Sequence, residues 1–214
     1  MKNILDKIEQ HPIIPVFYED DLDQCKFIVT SCYSAGIRVL EFVNRGINAL
    51  KNFEELVKFR NENFPDLLLA IGTIKTKKEA EDFLKIGADF IVSPIINPEI
   101  AEVTIQKKIL WIPGVMTPTE IAKAEELNVP LVKLFPSHLL GPTFLSSISP
   151  LFSSLKFMPT GGIDIEENTI KDWFTAGVSA IGMGAKLFKD IDKDQEILNS
   201  RIHQITDWIQ QAKA

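Results

Sequence analysis

The chain has 214 residues, 45% hydrophobic and 24% charged, an ordinary globular composition long enough to bury an ample core without disulfides or metals. Its 23 basic and 29 acidic residues leave a net charge of -6, which argues against nucleic acid or an anionic membrane as main partner but leaves room for a small anionic ligand. No apolar run is long enough to span a bilayer and no secretory leader is visible, so the cytoplasm is the expected compartment.

An amphipathic segment, Met1 to Gln10, opens the chain. Strand-like and helix-like patterns then alternate with a repeat of roughly 20 to 25 residues, which predicts βα units and a parallel sheet. The expected strands are Ile13 to Tyr18, Arg38 to Val43, Leu67 to Gly72, Phe90 to Ser93, Ile109 to Ile112, Leu131 to Phe135, Lys156 to Pro159 and Ala180 to Met183. Helical periodicity covers Asp23 to Ala35, Phe53 to Glu62, Lys77 to Ile86, Pro118 to Leu127 and Glu167 to Ala176, and Gly36, Gly87 and Gly177 stand where helices stop. Glu196 to Lys213 reads as the last helix. Eight such units in about 200 residues predict an α/β fold, a closed (β/α)8 TIM barrel with an extra N-terminal helix, in one domain over 1–214. An open doubly wound sheet would carry a glycine-rich first turn, and Phe17-Tyr18-Glu19-Asp20-Asp21 has no glycine. Cys25 and Cys32, seven apart on one helix face, are too distant to bridge and read as reduced core residues.

In such barrels the chemistry stands at the C-terminal ends of strands. The second strand continues Val39-Leu40-Glu41-Phe42-Val43-Asn44-Arg45, and its period puts Glu41 on the interior face with Val39 and Val43. A carboxylate there is costly unless paired or functional, and Arg45 in the following loop is a candidate partner. The third strand ends Gly72-Thr73, offering a close backbone approach and a hydroxyl at the rim; the fourth ends Ser93-Pro94. Thr117, before Pro118 and three residues ahead of Glu120, reads as a helix N-cap and not as a ligand.

The sixth strand, in Pro130-Leu131-Val132-Lys133-Leu134-Phe135-Pro136, carries a cation in the middle of an apolar run. Lys133 either snorkels to water from an edge strand or lies inside with Leu131 and Phe135. Inside, desolvation disfavours the ammonium and enlarges the neutral, nucleophilic fraction, as Schiff-base chemistry on a carbonyl requires. The last two strands end in Thr160-Gly161-Gly162 and Gly182-Met183-Gly184. Paired glycine-rich turns at the seventh and eighth strands are where such barrels cradle phosphate on backbone N–H groups. The histidines, His11, His138 and His203, have no metal-pair spacing, so no metal is expected, and Schiff-base chemistry at Lys133 needs no cofactor because the imine is itself the electron sink; His138 is placed to face the barrel mouth.

The succession Arg38-Val39-Leu40-Glu41 with Arg45, Gly72-Thr73, Ser93-Pro94, Ile112-Pro113-Gly114, Lys133-Leu134-Phe135-Pro136, Pro159-Thr160-Gly161-Gly162-Ile163 and the Gly182/Gly184 turn resembles the 2-keto-3-deoxy-6-phosphogluconate (KDPG) aldolase family, from about Ile13 to about Leu187. The resemblance implies a class I aldolase, a lyase of the Entner–Doudoroff pathway, on a homotrimeric barrel. By it, Lys133 matches the Schiff-base lysine and Glu41 the general acid/base. Arg45 and Thr73 match the groups that hold the pyruvate carboxylate, Phe135 a pocket wall, and Pro94 a further substrate-binding position. Thr160, Gly161, Gly162, Gly182 and Gly184 match the phosphate site.

The implied partners are pyruvate and a phosphorylated keto-deoxy sugar acid. The implied reaction is cleavage of KDPG to pyruvate and glyceraldehyde 3-phosphate, with 4-hydroxy-2-oxoglutarate (KHG) as a second substrate. Where members of the family carry Ser-Pro-Gly, a threonine after the glutamate and a phosphate-binding serine, this chain has Pro94-Ile95, Phe42-Val43-Asn44 and Ala185. The galactonate epimer of the substrate and a non-catalytic barrel that binds a phosphorylated ligand are the alternatives.

Overall fold

Short aliphatic runs, each closed by a polar turn and a helix start, fold as strands alternating with helices. The computed structural model describes residues 2–191 and 196–213, so Met1 of the expected first helix, residues 192–195 and Ala214 lie outside the described residues. In chain order the elements are α1 (Lys2–Gln10), β1 (Ile13–Phe17), α2 (Leu22–Ser34), β2 (Val39–Val43), α3 (Ala49–Asn63), β3 (Leu68–Gly72), α4 (Lys77–Ile86), β4 (Phe90–Val92), α5 (Pro98–Lys107) and β5 (Leu110–Ile112). They continue with β6 (Gly114–Val115), α6 (Pro118–Glu126), β7 (Leu131–Leu134), α7 (Ser137–Ile148), β8 (Lys156–Pro159), α8 (Glu167–Thr175), β9 (Ile181–Met183), α9 (Ala185–Phe188) and α10 (Glu196–Lys213).

Every strand pairing is parallel, six strands in the order β5-β4-β3-β2-β1-β9 and three in the order β6-β7-β8. A bridge between Thr160 and Gly182 links the end of β8 to β9. The described residues hold nine strands where the sequence predicts eight. The added one, β6, lies in the stretch after Pro113 that reads as loop. Pro113 has no N–H to give to a ladder, but its carbonyl accepts from the Lys133 N–H at 2.8 Å, so pairing resumes directly beyond it.

The sheet curls, and its two faces bury different clusters. Ile14, Val39, Ala70, Phe90, Leu110, Leu131, Met158 and Ala180 meet on the inner face, where α1 adds Ile8. The outer face sets Leu40, Phe42, Val132 and Leu134 against the helices, and Phe42 packs edge-on to Phe17 with ring centroids 5.3 Å apart. Each fully buried side chain of this size contributes about 1.5–3 kcal/mol relative to exposure. Helices α2, α4, α5 and α6 begin on side-chain caps, from Asp21, Thr76, Asn97 and Thr117. Thr76 and Thr117 each form a capping box, with Glu79 and Glu120 three residues on, and Thr117 is therefore the N-cap its sequence context predicts. Gly36, Gly87 and Gly177 follow helix ends with φ of 92°, 113° and 96°. Cys25 and Cys32 are both buried and free. Among the described residues no helix is long and apolar enough to cross a membrane.

Candidate active site

Above the inner apolar cluster the strand period brings two charged side chains inward: Glu41, two residues beyond Val39, and Lys133, two beyond Leu131. Their side chains are 0% and 7% exposed, and Lys133 Nζ lies 3.4 Å from Glu41 Oε1. Lys133 does not snorkel. That separation exceeds the roughly 2.7–2.9 Å of a tight charge-assisted bond, so the amine is close to the carboxylate without being locked to it. On its other side the ammonium stands 5.3 Å from the centroid of the Phe135 ring.

Two expectations change here. The partner of Glu41 is Lys133, not Arg45. Glu41 points to the centre of the curled sheet, whereas Arg45 belongs to the exposed loop beyond β2 and makes no ion pair with any described residue. Gly72 serves Glu41 and not a rim backbone contact: a Cβ on it would stand 2.0 Å from Glu41 Oε1. The missing side chain of β3 is the space in which the β2 carboxylate sits.

A cavity of about 740 Å³ opens above this pair. Arg45, Lys133, Phe135 and Thr160 line it, together with the turn glycines Gly161, Gly162 and Gly184. Glu41 lies beneath the floor, and Thr73, Pro94 and Gly182 are not part of the lining. Gly182 instead makes room for Thr160, whose Oγ1 would be 2.3 Å from a Cβ there. Thr160 Oγ1 and Glu41 Oε2 are buried with no described partner. An unsatisfied buried acceptor costs about 1–3 kcal/mol, so both oxygens are groups a ligand can satisfy at a gain. The Gly161-Gly162 turn, at φ 93° and 80°, is held from below by the Ser137 hydroxyl, which donates to the Gly161 carbonyl at 2.9 Å. His138 packs over the same turn, with Nδ1 3.3 Å from the Gly161 carbonyl.

The cavity has walls the sequence reading did not single out, Tyr18 and Glu19 at the end of β1 and Lys186 in α9, the last beside the Ala185 that the resemblance aligns with a phosphate-binding serine. The Tyr18 hydroxyl donates to Asp20 Oδ1, and burial together with that bond pushes the phenol up to about 12, so it stays a neutral donor across the range in which proteins are folded. Asn52 Nδ2 donates to the Glu19 and Asp20 carbonyls at 3.1 and 3.0 Å, pinning this turn to α3. Tyr18 was within reach of a sequence argument, since a polar aromatic ends a barrel strand. Lys186 was not, because a lysine on a short helix reads as solvated. It forms an ion pair with Asp164 across the two glycine-rich strand ends. Among the described residues no cluster of three or more His, Cys, Asp or Glu side chains is placed to hold a metal ion.

This arrangement, an amine and a carboxylate buried together under a cavity with further cations in its wall, suits nucleophilic attack on a carbonyl of an anionic substrate. Comparison with known proteins points the same way. Residues 4–205 match the family model for KDPG and KHG aldolases. A 2-dehydro-3-deoxy-phosphogluconate aldolase of Treponema pallidum is 32% identical over 166 residues, 77% of each chain. One of Haemophilus influenzae is 29% identical over 173 residues, covering 80% of this chain and 79% of its own. Among solved structures, a KDPG aldolase of Legionella pneumophila, with pyruvate captured at low pH as a covalent carbinolamine intermediate, superposes with a TM-score of 0.78 at 28% identity over 97% of both chains. The chain belongs to the KDPG and KHG aldolase family.

Proposed function

We propose that the protein is a class I aldolase that cleaves 2-keto-3-deoxy-6-phosphogluconate to pyruvate and glyceraldehyde 3-phosphate, with Lys133 as the Schiff-base lysine and Glu41 as the acid/base. The observation that carries this reading is the buried contact of 3.4 Å between Lys133 Nζ and Glu41 Oε1 under an open cavity. Transfer of a proton from the amine to the carboxylate across that contact gives a neutral nucleophile beside a general acid. Lys133 adds to the C2 ketone, Glu41 moves protons as water leaves, and the resulting iminium draws electrons from the C3–C4 bond. The same carboxylate, directly or through a water, takes the C4 hydroxyl proton as the bond breaks. The enamine is then protonated and hydrolysed, releasing pyruvate and the free amine. The iminium is its own electron sink, so the cycle balances without a cofactor.

Arg45, the cation of the cavity wall beyond β2, fits bidentate capture of the pyruvate carboxylate, with Thr73 and Pro94 beyond the lining in supporting positions. Phe135 walls the pyruvate end. The turns at Thr160, Gly161, Gly162 and Gly184 receive the phosphate, and Gly182 serves that end by leaving room for Thr160. Activity on KHG belongs to the same proposal, since that substrate shares the pyruvate half. So does a place in the Entner–Doudoroff pathway.

We further infer that the strands close as one (β/α)8 barrel in a single domain over 1–214. The bridge from Thr160 to Gly182 and the resumption of pairing after Pro113 support it, because β5 and β6 then count as one stave. A homotrimer is part of the same reading, favoured by large apolar side chains exposed at one end of the sheet: Ile47, Ile95 and Met116 in loops and Leu139 in the first turn of α7.

Pyruvate release coupled to lactate dehydrogenase tests the function. The wild type turns over KDPG, Lys133→Ala does not, and Glu41→Gln is slow. Equal rates in all three contradict the assignment.

A further inference from the structure

We propose that Lys186 is the residue that makes this site select a phosphorylated substrate, and that Asp164 holds its ammonium until the phosphate takes that carboxylate's place. The proposal rests on the aldolase reading above and adds a specificity determinant to it. Three cationic side chains line the cavity: Arg45, Lys133 and Lys186. Imine formation uses the Lys133 amine, and Arg45 is engaged with the carboxylate of the pyruvate half. Lys186 is the cation that remains.

Its position fits the other end of the substrate. Lys186 follows Gly184 and Ala185, and its partner Asp164 follows Gly161, Gly162 and Ile163, so the ion pair spans the two turns assigned to the phosphate. On this wall Gly161, Gly162, Gly184 and Ala185 bring no polar side chain, which leaves the Thr160 hydroxyl and the Lys186 ammonium. The hydroxyl is neutral, so the ammonium supplies the charge.

The pair is built to exchange partners. Its side chains are 55% and 49% exposed, where water screens a single carboxylate and the bond contributes little. A phosphate monoester carries about -1.5 to -2 charge and three strong acceptor oxygens at neutral pH, so it outcompetes one carboxylate for the ammonium. Asp164 is then set free to water, at little cost because it is already half exposed.

The test compares KDPG with the same keto-deoxy acid lacking its phosphate, in wild type, Lys186→Gln, Lys186→Arg and Asp164→Asn. Lys186→Gln should lower the ratio of kcat/KM for the phosphorylated over the unphosphorylated acid by about tenfold or more, mainly through KM. Lys186→Arg should restore most of it, and Asp164→Asn should raise it roughly two- to fivefold by freeing the ammonium. The proposal is overturned if Lys186→Gln changes both substrates equally or neither, or if Asp164→Asn lowers the ratio as Lys186→Gln does, which is the mark of a merely structural strap. Borohydride trapping of pyruvate involves no phosphate and keeps the two readings apart. A chain that traps pyruvate but shows no change in ratio loses only the role of Lys186, whereas a chain that traps none loses the aldolase reading and this proposal with it.

Discussion

Lys133 and Glu41 form a lysine–carboxylate pair with 7% and 0% of their side chains exposed, and Lys186 and Asp164 form another with 55% and 49% exposed. Both sit at one cavity, yet burial gives them different work. In the dry pair each charge is tolerated only because of the other, so a proton moving between them changes the state of the site, and removing one partner strands the other. In the wet pair water already solvates both ends, so either partner can leave for a better one. Chemistry belongs to the first setting and recognition to the second.

The largest expected effect comes from breaking the buried pair. Lys133→Met should bring turnover to background and, by leaving Glu41 buried alone, destabilise the fold by roughly 3–5 kcal/mol at neutral pH. Adding Glu41→Gln to that variant should recover much of the loss, because the stranded charge is gone. Thermal melts of the single and double variants decide this, and a double variant no more stable than Lys133→Met contradicts the pairing. Glu41→Gln alone should reduce kcat by about 10²- to 10⁴-fold, as expected for loss of a general acid/base, and steady-state kinetics on KDPG read it.

Next in size is Gly72→Ala. Its methyl group would stand 2.0 Å from Glu41 Oε1, so the carboxylate must shift away from Lys133. The expected cost is about 1–3 kcal/mol of stability, together with a fall in kcat far larger than any change in KM. An Ala variant with wild-type kcat would show that the position of the carboxylate is not critical.

At the exposed pair the contrast should be plain: Lys186→Gln is expected to leave the melting temperature unchanged within error while altering substrate preference. The smallest effect concerns burial with no partner at all. Burial pushes the Cys25 thiol up to about 12 and that of Cys32 higher still. Neither should react with iodoacetamide at pH 8 until the protein unfolds, which mass spectrometry of native and denatured samples reads directly.

What the sequence disclosed follows the same line between burial and exposure. Strands announce themselves because buried aliphatic runs alternate with amphipathic helices, and the expected strand positions agree with those observed to within one or two residues, apart from the short β6. Three internal helices were not singled out: α5, α7 and the four-residue α9. In α7, Gly141 and Pro142 read as breakers, and the helix in fact bends there, with Gly141 at φ 75° and ψ 166°. In α5 the signal was present, since Asn97 caps the helix, Pro98 starts it, and Ile100, Ala101, Val103 and Thr104 form its buried face.

In the site, Glu41 and Lys133 stood out individually as charges on inward faces. Their meeting was implied only by the family resemblance, which assigns both to one reaction, because 92 residues separate them and only the curl of the sheet brings them together. Arg45 looked like the nearer partner because it is near in sequence, and the twist of β2 into an exposed loop takes it elsewhere. Gly72 and Gly182 matter for space they leave to a neighbouring strand, information that no single stretch of sequence carries.

The central claim is that the amine of Lys133 captures a keto acid covalently with Glu41 beside it, and the most direct measurement is incubation with pyruvate and borohydride followed by peptide mapping. The predicted result is one reduced pyruvyl adduct per chain, on the peptide that contains Lys133, lost in Lys133→Ala and slowed in Glu41→Gln. An adduct on another lysine, or none under conditions that label a control class I aldolase, contradicts the account.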